Sequence, residues 1–361
     1  MNFPDMRRPI LAIYFLAGVM AASLLASAAT AYEPPQAVVA AIKEKAGFSG
    51  VAIVDTGDGA PFVYVAGGAG RGQPMTPSTR FDIGSITKLM TAVAVMQLSE
   101  AGLVNLEAPV GTYLADLPKE ARTRTVTEIL RHEAGFGDFL EAATRDQLLQ
   151  ARNNHDFYNL ALKHPVGSAG AFSYSNTGFV VLGELVERVG GSPYEAYLRT
   201  RVLVPAGVRA ALFGRSDRIA APEVAIGLMR PEANGAPPPK AQSEFTQETT
   251  ALTGWVTSAA GGLYVTAPEL ASFGRALLGN RLISASGLAK LCPQVSEKTM
   301  IRGLGCMVMP DGGLGHNGVR PGMYGIMLAS PKTGAVVVAL SNHDRQAEGV
   351  FWPLWAAVAE R

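Results

Sequence analysis

The stretch Phe81-Asp-Ile-Gly-Ser85-Ile-Thr-Lys88-Leu-Met-Thr-Ala-Val-Ala-Val-Met96 places a serine where an apolar helix begins and a lysine one turn further on. Positions i and i+3 share a helix face, which brings the amine to the hydroxyl. A helix N-terminus favours developing negative charge, and a serine becomes a nucleophile when a neighbouring base takes its proton. A plain reading also exists, because serine is a common helix cap and lysine a common solvated residue. About one Ser-x-x-Lys is expected by chance in a chain this long, so the reading needs support elsewhere in the sequence.

Two further motifs follow in order. Tyr174-Ser-Asn176 lies in the loop Gly170-Ala-Phe-Ser-Tyr-Ser-Asn-Thr-Gly178, which runs straight into an apolar helix. The phenol can carry a proton between the serine and a leaving group, and Asn176 offers both a donor and an acceptor, suited to the lysine and to a substrate amide. The alternatives are a helix cap at Ser175 or Asn176 and a packed aromatic at Tyr174. His316-Asn-Gly318 sits in the glycine-rich Gly312–Gly322 stretch. Glycine on an edge strand lets a second backbone approach closely, as a strand-like substrate would, whereas a structural turn is the bland account. If the strand continues, Arg320 shares the face of His316 and Gly318 and is the expected partner of a substrate carboxylate, with Arg345 as the competing anchor.

Working outward, Gly50–Asp55 and Pro61–Ala66 around Thr56–Ala60 read as a hairpin, as do Met323–Leu328 and Ala335–Leu340 around Ser330–Gly334. Helices are expected over 36–46, 85–101, 126–131, 146–163, 176–189, 193–204, 267–278 and 346–360, the last with Pro353 inside, and a strand over 262–265. Residues 215–243 read as a long irregular surface segment. The expected organisation is a signal peptide at 1–31, an α/β lobe from residues 32–84 and 250–361, and a mainly helical lobe from 85–249.

The leader expectation rests on Arg7-Arg8, then an uncharged run of 23 residues from Pro9 to Ala31 that ends in Ala26-Ser-Ala28 and Ala29-Thr-Ala31. A run this long can also span a bilayer, so an uncleaved anchor is the alternative. Cleavage implies an exported protein, periplasmic or secreted, that meets the membrane only through this segment. The formal net charge of +1, from 31 basic and 30 acidic residues, gives no reason to expect nucleic acid as a partner, and a small-molecule or peptide substrate, cell-wall fragments included, is expected. Cys292 and Cys306 are the only cysteines, and a single bridge or two reduced core thiols are both open. The five histidines contain no His-Glu-x-x-His pair, so no metal and no other cofactor is expected.

Taken together the three motifs resemble the penicillin-binding-protein-like serine hydrolases, the group holding class C β-lactamases, D-Ala-D-Ala carboxypeptidases and related esterases. Leu130-Arg-His-Glu-Ala-Gly135, Val202–Gly207, Ser258-Ala-Ala-Gly-Gly-Leu263 with Thr266–Leu270, and Gly303-Leu-Gly305 add to the resemblance. It implies an α/β, serine β-lactamase/penicillin-binding-protein-like fold, an antiparallel sheet flanked by helices with an inserted all-helical lobe. It also implies Ser85 as the acylated nucleophile, Lys88 and Tyr174 as the proton-transfer pair, Asn176 as an amide ligand, His316 to Gly318 as the third motif, and the backbone N–H groups of Ser85 and Val319 as the oxyanion hole. Two departures stand out: histidine rather than lysine at 316, and Gly135-Phe-Gly-Asp-Phe139 without the glutamine of class C enzymes. They weigh against a true β-lactamase. A non-catalytic ligand-binding protein that keeps the fold is the reading from another class. Lys332-Thr-Gly334 spells the lysine form of the third motif, but its place between two apolar runs marks it as a hairpin turn.

Overall fold

Val51–Val54 and Val336–Leu340 are apolar at every position, so strands built from them must be covered on both faces. The computed structural model, which describes residues 32–45, 47–215, 224–231, 241–249, 256–294 and 299–359, covers them in that way. The leader expected at 1–31 and much of the irregular segment expected at 215–243 lie outside the described residues. In chain order the principal elements are α1 (Gln36–Lys43), β1 (Gly50–Asp55), β2 (Phe62–Ala66), β3 (Arg80–Asp82), α2 (Ile86–Glu100), α3 (Val126–Leu130), α4 (Asn154–Ala161) and α5 (Asn176–Gly190). They are followed by β4 (Tyr264–Thr266), α6 (Ala267–Leu278), β5 (Ile301–Arg302), β6 (Met307–Val308), β7 (Leu314–Arg320), β8 (Met323–Ala329), β9 (Val336–Ser341) and α7 (Glu348–Ala359).

One antiparallel sheet of seven strands runs β2-β1-β9-β8-β7-β6-β5. The two-residue period divides its side chains between two cores. Ala52, Val54, Val337, Ala339 and Ile326 face α1 and α7, whereas Val51, Ile53, Val338, Leu340 and Met327 face α2, α6 and the helices beyond them. Helix α2 is apolar on all sides and has twelve buried residues of fifteen, as a helix enclosed by other elements must. It lies against both β7 and α5.

Both expected hairpins form, and α7 runs through Pro353. The helix expected over 146–163 is instead two, Arg145–Gln150 and Asn154–Ala161. Ala151 is extended, and the Asn153 side chain accepts the Asp156 N–H to start the second helix. Leu198–Leu203 closes the expected 193–204 helix as a π-turn. Within the expected irregular segment, Leu228–Met229 pairs with Gln247–Glu248. Cys292 and Cys306 are joined as a disulfide, which closes a loop worth about 3 kcal/mol on the chain-entropy account. Among the described residues no helix is long and apolar enough to cross a membrane.

Two cations mark a contrast. Lys332 is exposed in the β8–β9 turn, as expected. Arg320 is nearly buried, and its Nε donates at 2.9 Å to Asp82, whose other oxygen accepts the Gly84 N–H in the turn before Ser85. We expect Lys332→Ala to change stability by about 0.5 kcal/mol or less and to leave turnover intact. Arg320→Ala, which strands a buried carboxylate, should cost about 3–5 kcal/mol in denaturant unfolding and lower all activities alike.

Candidate active site

Ser85 stands at the N-cap position of α2, yet its hydroxyl makes no capping bond to the helix. It faces the lysine instead: Lys88 Nζ lies 3.1 Å from Ser85 Oγ, and the Tyr174 hydroxyl donates to the same oxygen at 2.6 Å. Capping of the later helix falls to Ser175, which accepts the Gly178 N–H and leaves Asn176 free for other contacts.

Lys88 is fully buried and has two further partners, Asn176 Oδ1 at 2.7 Å and the Ala260 carbonyl at 2.6 Å. Both can only accept. An ammonium would therefore satisfy three oxygens at once, while a neutral amine keeps two N–H bonds on Asn176 and Ala260 and turns its lone pair toward Ser85 Oγ. The geometry suits a base that takes the serine proton.

Strand β7 crosses directly over this turn. A Cβ on Gly318 would stand 1.9 Å from the Ile83 carbonyl oxygen, and one on Gly84, at φ +50°, would meet the Val319 nitrogen at 3.0 Å. Glycine at both places brings the backbone of Ser85 beside that of Val319, where two amides can face one oxyanion. Both residues line a cavity of about 380 Å³ together with Tyr174, Asn176, His316 and Arg302.

His316 is buried in that wall, and its Nδ1 lies against the Asn317 carbonyl. A carbonyl only accepts, so Nδ1 carries the proton and Nε2 the lone pair. Burial, with the charges of Lys88 and Arg302 adding to it, holds its pKa down at about 3. His316 therefore offers an uncharged acceptor where the resembled family places a cation. A second neutral histidine, His132, lies beneath the site. Its ring stacks on Tyr174 with centroids 4.4 Å apart, its Nδ1 accepts the Ser175 N–H, and burial followed by the Lys88 charge lowers its pKa to about 3.

Arg320 lines the cavity on the face expected of it, but its charge is countered by Asp82, so the carboxylate role expected of it is corrected. Arg345 is not among the lining residues. The sequence reading missed Arg302, on edge strand β5. Its guanidinium lies 5.2 Å from the Phe172 ring centroid and 5.8 Å from that of Tyr174. It lines the cavity, and among the described residues it forms no ion pair. Its position just before Gly303-Leu-Gly305 was the available signal. The reading also missed Asp138, which accepts from Asn176 Nδ2 at 2.6 Å, and the Ala260 carbonyl. Away from the cavity, His155, Glu184 and Glu187 bring ligand atoms within 4.8 Å of one another, but the Arg188 guanidinium donates to Glu184 at 2.8 Å and takes the place a cation would need.

A serine hydroxyl against a buried lysine and a tyrosine, with two backbone amides side by side next to it, is the arrangement of a serine hydrolase of the penicillin-binding-protein type. The Beta-lactamase family profile matches residues 36–359, and the chain belongs to that family. It is 28% identical over 270 residues to a Bacillus subtilis (strain 168) chain named as penicillin-binding protein PbpX; the match covers 74% of this chain and 63% of that one, less than two thirds of the relative's length. A penicillin-binding protein from Bacillus halodurans has a similar structure, with a TM-score of 0.74 at 27% identity over 87% of this chain and 96% of that one. A D-stereospecific amidohydrolase from Streptomyces sp. gives a TM-score of 0.66 at 27% identity over 87% and 95%.

The two histidines also set an acid dependence of stability. Each binds a proton near pH 6.5 when unfolded but only near pH 3 when folded. Their contribution is thus fully present above pH 6.5 and is lost as pH falls toward 3. Between pH 6.5 and 5, before most carboxylates titrate, each should lower unfolding free energy by up to about 1.4 kcal/mol per pH unit. His132→Asn, whose Oδ1 can take the place of Nδ1, should flatten the slope measured by chemical denaturation. A flat profile in the unmodified protein would mean that the histidines are already protonated in the folded state.

Proposed function

We propose that this protein is an exported amidohydrolase or peptidase that forms an acyl-serine on Ser85 and expels an amine leaving group bearing a carboxylate. The observation that carries the reading is the Arg302 guanidinium beside Tyr174, which forms no ion pair among the described residues. In acylation Ser85 Oγ attacks the substrate carbonyl carbon while Lys88 Nζ accepts the hydroxyl proton, and the oxyanion rests on the Ser85 and Val319 amides. The C–N bond then breaks as the proton passes through Tyr174 to the departing nitrogen, so the leaving group lies on the Tyr174 side, where Arg302 stands. Water then releases the acyl group by the reverse proton path.

The family and the amidohydrolase-like neighbour support amide chemistry. The neutral His316 and the Asp138 loop argue against a true β-lactamase, and the intact bonding of Ser85, Lys88 and Tyr174 argues against a pure binding role. The residue 1–31 pattern and the Cys292–Cys306 bridge support export to an oxidising compartment. Cell-wall peptides ending in a free carboxylate fit this chemistry.

Ser85→Ala should abolish turnover and acyl-adduct formation detected by mass spectrometry, while Lys88→Ala and Tyr174→Phe each lower kcat by roughly 10² or more. An adduct on a different serine would remove the assignment. Arg302→Ala should cut kcat/KM for a carboxylate-terminated peptide by roughly 10–100-fold, the range of a charge-assisted hydrogen bond, and barely change that for its methyl ester. Equal losses on both substrates would leave Arg302 without a recognition role.

A further inference from the structure

The loop from His132 to Phe139 holds the Tyr174-Ser-Asn176 motif at several points. His132 accepts the Ser175 N–H, the Gly137 carbonyl accepts the Ser175 hydroxyl at 3.1 Å, Asp138 accepts Asn176 Nδ2 at 2.6 Å, and the Phe139 N–H donates to Thr177 Oγ1 at 2.9 Å. Three of these contacts fix the backbone or a cap. The Asp138 contact acts on a side chain that touches the base.

Asn176 lies between two groups with opposite demands. A carboxylate can only accept, and the N–H groups of Lys88 need an acceptor. Only one amide orientation serves both: Nδ2 toward Asp138 and Oδ1 toward Lys88 Nζ. The other Asp138 oxygen accepts the Leu140 N–H at 3.0 Å and caps the short helix Phe139–Ala142, so the carboxylate itself is held in place.

We infer that Asp138 is a positioning residue for acyl transfer: by fixing the amide orientation of Asn176 it keeps an acceptor on Lys88 and leaves the amine's lone pair for Ser85. With the amide reversed, Asn176 would present an N–H to Lys88. The lone pair would then bond to Asn176 instead of aiming at the serine, and the base would be misdirected without any change in the cavity's shape.

Asp138→Asn separates this role from the cap. The new amide oxygen still caps Leu140, since asparagine caps as well as aspartate, but its NH2 faces Asn176 Nδ2, donor to donor, and drives the reversal. The inference rests on Ser85 being the nucleophile, so the assay is labelling of Ser85 by an alkyl fluorophosphonate, read by intact mass. Absence of labelling in the unmodified protein would sink the proposed function; the tests below concern Asp138 alone. For Asp138→Asn we expect the maximal labelling rate to fall tenfold or more, in the range found when outer groups that orient a reacting one are removed, with the half-saturating phosphonate concentration and melting temperature unchanged. Asp138→Ala should be slowed as much and should also melt about 2 °C lower for want of the cap. In an Asn176→Ala background, Asp138→Asn should cost nothing further. A labelling rate within twofold of the unmodified protein, a change confined to half-saturation, a melting loss in Asp138→Asn equal to that of Asp138→Ala, or full additivity with Asn176→Ala would each overturn the inference.

Discussion

The site depends on a lysine amine kept out of water in the central helix. Removing an ammonium from solvent costs several kcal/mol even after relaxation, and Lys88 is wholly enclosed. Around it Leu89, Met90, Val93, Val95 and Met96 are buried, each contributing about 1.5–3 kcal/mol by the usual area rule. The packing of α2 thus outweighs the burial of Lys88, the one ionisable group the helix encloses. The remaining requirement is local: each polar direction of the nitrogen must meet an oxygen. Ser85, Asn176 and Ala260 come from three separate parts of the chain to supply them. Their meeting explains why α5 and the 258–261 turn both close on the start of α2.

Charge in the cavity is distributed unevenly. Two histidines are kept neutral by burial beside Lys88, and Arg320 is matched by Asp82. Of the two arginines that line the cavity, Arg302 is the one without an acidic partner among the described residues. On the proposed reading, a neutral wall at His316 and a cation on the edge strand move the anion-binding position away from the third motif and toward the side where Tyr174 would meet the leaving group. The same three-motif frame that elsewhere carries a lysine can in this way hold a differently placed carboxylate.

Much of the frame was legible because it follows from local rules. Apolar β-branched runs around turn residues located the two hairpins, and the apolar run after Ser85 located α2. The Ser-x-x-Lys spacing placed nucleophile and base together, because one helical turn leaves little freedom. Arg320 was also placed on the correct face by strand period. Its partner was not readable, since Asp82 is 238 residues away and meets it only through the folded crossing of β7 over the serine turn. Arg302 and Asp138 escaped for a similar reason: each acquires its meaning from a neighbour brought in by topology, Tyr174 and Asn176 respectively. The single helix expected over 146–163 missed the break at Ala151–Asn153, where an extended Ala151 and the Asn153 side-chain cap start a second helix.

The Cys292–Cys306 bridge lies at the base of the segment that carries Arg302, and Gly305 beside it packs onto Ala92 of α2 and Phe179 of α5. On the proposed reading, recognition and reaction are thus anchored by different means, the first by a covalent clasp next to Arg302 and the second by the packed helices around Lys88. Leu304 and Gly305 are held in the core beside the clasp, so the position free to vary next to them is the edge position of Arg302 itself. On the proposed reading of Arg302, a lineage could therefore change which molecules it accepts by exchanging that edge residue, without reopening the core around Lys88.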